Sequence, residues 1–115
     1  MNHVVLVGRA TADSQLRYSQ SGKAVASFGL AVSRWHPART AEGRSQADFV
    51  DVVIFDRLAE AVSPHLSRGR LVGIDGRIST RNYVRDGTKR KVVEVIADSV
   101  RFLDKPVRRE EKVEG

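Results

Sequence analysis

Cysteine is missing from the 115 residues, which excludes a disulfide framework and any thiolate metal site. Histidine is scarce: His3, His36 and His65 lie far apart and read as scatter, not as a metal-binding spacing. No apolar run approaches the ~20 residues that a membrane-spanning helix needs. The opening, Met-Asn-His-Val-Val-Leu-Val-Gly, gathers only four apolar residues, too few for a secretory signal core. A cytoplasmic protein is therefore expected. Paired carboxylates, a nucleophile elbow and metal-ligand spacings are also lacking. Gly22-Lys23 matches only the end of a phosphate-binding loop, and Ala24 stands where that loop needs Ser or Thr. Neither an enzyme nor a bound cofactor or metal is expected.

What is present describes one globular domain. Hydrophobic residues make up 41% and charged residues 30%. A chain of this length buries about two-thirds of its unfolded surface. Twenty basic residues stand against 14 acidic ones, a net charge of +6. Such an excess favours a polyanionic partner, either nucleic acid or an anionic membrane surface. Residues 104–115 balance Lys105, Arg108, Arg109 and Lys112 against Asp104, Glu110, Glu111 and Glu114. The whole excess thus belongs to residues 1–103, read as the folded domain, with 104–115 as a flexible polar end.

Residues 4–7 form a β-branched run, apolar on both faces, ending at Gly8. Residues 9–22 are polar and turn-rich. Ala26, Phe28, Leu30 and Val32 then alternate with Ser27, Gly29, Ala31 and Ser33, the pattern of a half-buried strand. Gly29 inside it predicts a bend or bulge. Residues 35–47 form a long loop. In the strand 48–55, Phe49, Asp51, Val53 and Phe55 share one face, and Val50, Val52 and Ile54 the other.

Residues 56–68 read as the one helix. Asp56 is its expected cap, Leu58, Ala61, Val62 and Leu66 its buried face, and Gly69 its terminator. Pro64 predicts an irregularity inside it. Residues 71–83 form the next strand, with Val72, Ile74 and Ile78 on one face and Arg77, Ser79, Arg81 and Tyr83 on the other. Asp86-Gly87 turns the chain, and 91–102 returns as the last strand. The order is three strands, a helix and two strands. That is the order of an all-β, five-stranded OB-fold barrel with one helix between strands 3 and 4, a fold that presents a strand face to oligonucleotides.

The aromatic residues are few: one Trp, two Tyr and four Phe. Phe28 shares parity with core residues. Trp35 sits at a strand–loop junction beside Arg34, and Tyr83 ends the face that carries Arg77 and Arg81, next to Arg85, Lys89, Arg90 and Lys91. Bases stack on rings while phosphates need cations, so interleaved rings and cations suit a single strand. Pattern alone leaves Phe49 and Phe55 open between this role and an ordinary core or interface role.

The sequence resembles the bacterial single-stranded DNA-binding proteins over roughly residues 2–103. The resemblance is carried by Asn2-His3-Val4-Val5-Leu6-Val7-Gly8-Arg9, Asp13-Ser14-Gln15-Leu16-Arg17-Tyr18, Ala24-Val25-Ala26-Ser27-Phe28 with Leu30-Ala31-Val32, and Asp48-Phe49. Leu58-Ala59-Glu60 and Gly76-Arg77-Ile78-Ser79-Thr80-Arg81-Asn82-Tyr83 complete it. It implies an OB fold, a homotetramer and sequence-tolerant binding of single-stranded DNA in replication, recombination and repair. By position it assigns stacking to Trp35, Phe49, Phe55 and Tyr83, and phosphate contacts to Arg81, Arg57 and Arg68. Local charge adds Arg34 and Lys23.

Two departures stand out. Asp13-Ser14-Gln15 replaces the family's usual Asp-Pro-Glu, and the acidic tail with a hydrophobic tip, through which the family recruits partners, is not seen. Tail-mediated recruitment is therefore not expected. The alternative reading is an OB-fold assembly protein of replication restart that binds mainly protein partners. The apolar runs 4–7 and 52–54 suggest surfaces covered by other subunits. If 48–55 faces DNA, Asp51 does too, and it is expected to pair with Arg77 or Arg81.

Overall fold

The computed structural model describes residues 1–34 and 46–105. Six strands form one sheet: β1 Val4–Ala10, β2 Gln15–Tyr18, β3 Ala24–Arg34, β4 Gln46–Phe55, β5 Leu71–Arg85 and β6 Thr88–Phe102. Their order is β1-β5-β6-β4-β3-β2. A further pairing, Arg9↔Ala31 and Ala10↔Leu30, joins β1 to β3 and closes five of the strands into a ring. Every pairing is antiparallel except β4 with β6, which meet through Val52↔Val95 and Val53↔Ile96. This is the expected OB order. β2 is an addition, a short strand on the outer edge of β3 within a segment whose sequence reads as turn. All four of its residues are exposed, so no buried face imprints a period-2 pattern there.

Alternation drives the ring. Leu30, Val52, Ile54, Val72 and Ile74 point inward and are fully buried, with Ala26 and Phe28 beside them. Each such aliphatic side chain contributes roughly 1.5–3 kcal/mol when taken out of water. No polar or charged residue is buried among the described residues. Two glycines let the ring tighten. A Cβ on Gly8 would sit 2.3 Å from the Ala31 carbonyl oxygen, where β1 crosses onto β3. A Cβ on Gly76 would sit 2.0 Å from the Ile96 carbonyl oxygen. There the β5–β6 register slips by one residue, from Asp75↔Ser99 to Gly76↔Ala97. Of the bend or bulge expected at Gly29, a bulge is excluded, since the β3–β4 ladder runs through Gly29↔Asp51 without a break. What Gly29 accommodates is Thr11, whose Oγ1 lies 2.6 Å from where a Cβ would be.

The helix is shorter than its apolar spacing suggests. α1 covers Asp56–Val62 and gives way to a 3-10 turn, Ser63–His65, with Pro64 in its first turn. The irregularity predicted at Pro64 is thus a change of helix type, as a missing N–H requires. Asp56 does not cap: its φ is +60° and the N-cap position is Phe55, with no side-chain bond. Gly69 does not end α1 either, but supplies a positive φ in the turn closed by Arg70 N–H to the Ser67 carbonyl. Ala59, Val62 and Leu66 enter the core and Leu58 packs against it, whereas Ala61 is exposed. No helix among the described residues is long and apolar enough to cross a membrane.

Candidate nucleic-acid interface

The ladder registers place one row of side chains across the sheet. On β4, Phe49, Asp51, Val53 and Phe55 lie opposite Ala31, Gly29, Ser27 and Val25 of β3. Gln15 and Arg17 of β2 continue the row through Ser27 and Val25. On the other side, Arg81 and Tyr83 of β5 stand opposite Val92 and Arg90 of β6. This face contains a groove of about 620 Å³, lined on β2 by Gln15 and Arg17, on β4 by Asp51, Val53 and Phe55, and across it by Arg81, Val92 and Glu94.

The rings on this face are open to a ligand. Phe49 is 74% exposed and Phe55 41%, although both are large apolar side chains. They lie six residues apart, about 20 Å along the strand, which spans several nucleotides. Tyr83 is also exposed and belongs to the hairpin arm formed by the far ends of β5 and β6. Trp35 lies outside the described residues. Arg81 lines the groove wall, where its Nε donates to Glu94 Oε1 at 3.3 Å.

The remaining predicted cations are dispersed. Arg57, Arg68 and Lys23 are exposed, but none lines the groove. Arg68 follows the helical region, and its backbone N–H is bound to Asp13 Oδ1 at 2.9 Å. Lys23 sits in the β2–β3 turn, its N–H bound to Ser19 Oγ. Arg34 hydrogen-bonds to Asp48 across β3–β4. That bond holds the Asp48 carboxyl below its ordinary value against the opposing loss of water, with the Arg34 charge adding to it.

The predicted ion pair of Asp51 is not formed. Arg77 pairs with Asp98, 3.6 Å away, and Arg81 with Glu94. Both acids sit on β6, the immediate neighbour of β5, and so reach the arginines before a residue on β4 can. Val53 also departs from expectation, lining the groove instead of an outer contact surface. The other apolar run faces outward, with Val5 at 65% and Val7 at 51% exposure on β1.

Arg17 and Gln15 were missed as groove residues, because parity can flag them only once 15–18 is known to be a strand. Tyr18, on the opposite face of β2, donates from its hydroxyl to Glu60 Oε2 at 3.0 Å and so ties β2 to α1. Its hydroxyl pKa is raised, first by that hydrogen bond and then by desolvation and the Glu60 charge.

The model of the single-strand binding protein family matches residues 1–103. The chain belongs to that family. It is 49% identical over 105 residues to single-stranded DNA-binding protein 1 of Staphylococcus aureus, covering 90% of this chain and 66% of that protein. The match to single-stranded DNA-binding protein 3 of Listeria innocua is also 49% identical, covering 90% of this chain and 64% of the relative. The chain thus spans about two-thirds of the length of these relatives. Among solved structures, a Plasmodium falciparum SSB in complex with single-stranded DNA superimposes with a TM-score of 0.79 at 26% identity, covering 90% of this chain and 96% of that one. The fold is thus shared with that structure as well.

Proposed function

We propose that the protein binds single-stranded DNA with little sequence preference, and that it coats exposed strands during replication, recombination and repair without catalysing a reaction. The observation that carries this reading is the exposed sheet face on which Phe49, Phe55, Arg81 and Tyr83 stand, in a chain of the single-strand binding protein family. Bases stack on Phe49, Phe55, Tyr83 and Trp35. Phosphates are neutralised by Arg81 and by the dispersed cations Arg34, Arg57, Arg68 and Lys23. The hairpin arm adds Arg85, Lys89, Arg90 and Lys91 against Asp86 alone. Exposed Val5 and Val7 on β1 support association of several copies, and a homotetramer is the expected assembly. The protein acts in the cytoplasm, on DNA of the nucleoid.

Titration of the single tryptophan with oligo-dT tests the reading. Fluorescence is expected to change on binding, and log affinity to fall against log salt with a slope of about −0.7 per phosphate neutralised. No fluorescence change and no salt dependence would refute it. Native mass measurement, free and with long oligo-dT, checks the tetramer.

A further inference from the structure

The groove is not a positive channel. Its lining carries three carboxylates, Asp13, Asp51 and Glu94, against two guanidiniums, Arg17 and Arg81. Asp13 accepts the Arg68 N–H and Glu94 is bound to Arg81. Asp51 differs: among the described residues it makes no ion pair and no side-chain hydrogen bond. It is exposed, and its partner across β3–β4 is Gly29, over which Thr11 sits. Carrying the parallel Val52↔Val95 register back by one residue sets Asp51 level with Glu94, so two acids stand side by side at the β4–β6 seam.

A phosphate is repelled from that seam, whereas the flanking rings attract bases. Phe49 and Phe55 lie two and four residues from Asp51 on the same face, about 7 and 13 Å along the strand. A base stacked on Phe49, the nearer ring, would turn its edge toward the acids and its phosphate away from them. A carboxylate can only accept hydrogen bonds. Cytosine and adenine present an exocyclic amine to it, whereas uracil or thymine presents a carbonyl oxygen at the corresponding pyrimidine position.

We propose that Asp51 is a base-edge reader: it orients single strands with bases toward β4 and favours bases that carry an exocyclic amine over those with a carbonyl there. The proposal rests on the single-strand reading above. It makes the groove modestly selective within an otherwise sequence-tolerant protein, and it assigns a role to a charge that phosphate binding alone would select against.

Oligo-dC and oligo-dU of equal length differ at position 4 of every base, amine against carbonyl. Their affinities are measured at pH 8 for the full chain and for Asp51→Asn and Asp51→Ser, each checked for an unchanged thermal midpoint. The expected result is a fall in the dC-to-dU affinity ratio of about fivefold in both variants, because dC loses one charge-assisted hydrogen bond from its amine while dU is freed of repulsion between its carbonyl oxygen and the carboxylate. If both variants tighten dC and dU by the same factor, or leave the ratio unchanged, Asp51 is only a repulsive charge and the proposal is wrong. If the unaltered protein binds neither oligomer at micromolar concentration, it is the single-strand reading that fails.

Discussion

Arg81 donates from Nε to Glu94 Oε1 at 3.3 Å, diagonally across the β5–β6 hairpin. The Glu94 side chain is only 11% exposed, while Arg81 keeps most of its surface open at the groove wall. The guanidinium is thereby oriented but partly neutralised, so its attraction for a phosphate is set by its neighbour on β6. Glu94→Gln keeps the shape and removes the charge. Binding of oligo-dT is expected to tighten, and the salt slope to steepen by about 0.7 as Arg81 becomes free to engage one phosphate. Titrations at a series of salt concentrations check this. An unaltered slope would mean that Arg81 does not meet the backbone.

Phe49 contributes little to the core, so its truncation separates binding from folding. Phe49→Ala is expected to weaken oligo-dT binding by ~1–3 kcal/mol, the value of one stacked base. Unfolding free energy should stay within about 0.5 kcal/mol, as for surface changes generally. Tyr83→Ala should behave alike. A variant that binds normally while its oligomer dissociates would assign that ring to the assembly.

The ring itself is sensitive where strands pass closest. Gly76→Ala forces a Cβ to within 2.0 Å of a backbone oxygen that cannot move without breaking the ladder. A loss of about 3 kcal/mol is expected in urea unfolding. Gly73→Ala serves as the contrast, since the nearest atom to its new Cβ is the Leu103 side chain at 3.5 Å. It should be nearly neutral.

Asp104 gives the fold an acid-sensitive clasp. Loss of water opposes its charge, but hydrogen bonds from Arg70 Nε and Leu71 N–H, with the charges of Arg70 and Arg9, outweigh that and hold the carboxyl below its ordinary value. A carboxyl depressed in the folded state stabilises the fold above its unfolded pKa of about 3.9 and loses that contribution as pH falls through the folded value. Asp104→Asn should therefore be less stable than the unaltered protein at pH 7, with the difference closing below about pH 4. Unfolding curves at fixed protein concentration check it. A difference that persists at pH 2 would place the effect in packing instead.

Part of the candidate face was legible in the sequence. Phe49 and Phe55 share a face because a strand has a period of two, and Leu30, Val52 and Ile54 are buried because that same alternation leaves them on the inner side. Pro64 marked the change of helix type, because a missing N–H in a helix interior breaks the α-helical ladder. Short-range rules fix these features. The Gly69 terminator failed because it was placed on one continuous helix that the proline divided. The Asp56 cap failed because Asp56 is itself the first helical residue, with Phe55 at the N-cap.

Long-range geometry was not legible. β2 has no buried face, so the strand that carries Arg17 into the groove left no periodic trace. The partners of Arg77 and Arg81 were decided by which strand lies next to β5, and β6 offers Asp98 and Glu94 at distances that Asp51 on β4 cannot match. Composition showed a positive chain, yet the groove carries more acids than cations because the fold brings Asp13 together with Asp51 of β4 and Glu94 of β6. Local alternation can tell which side of a strand a residue takes. Only the pairing of distant strands sets which charges meet there, since contact across a ladder depends on register between segments tens of residues apart.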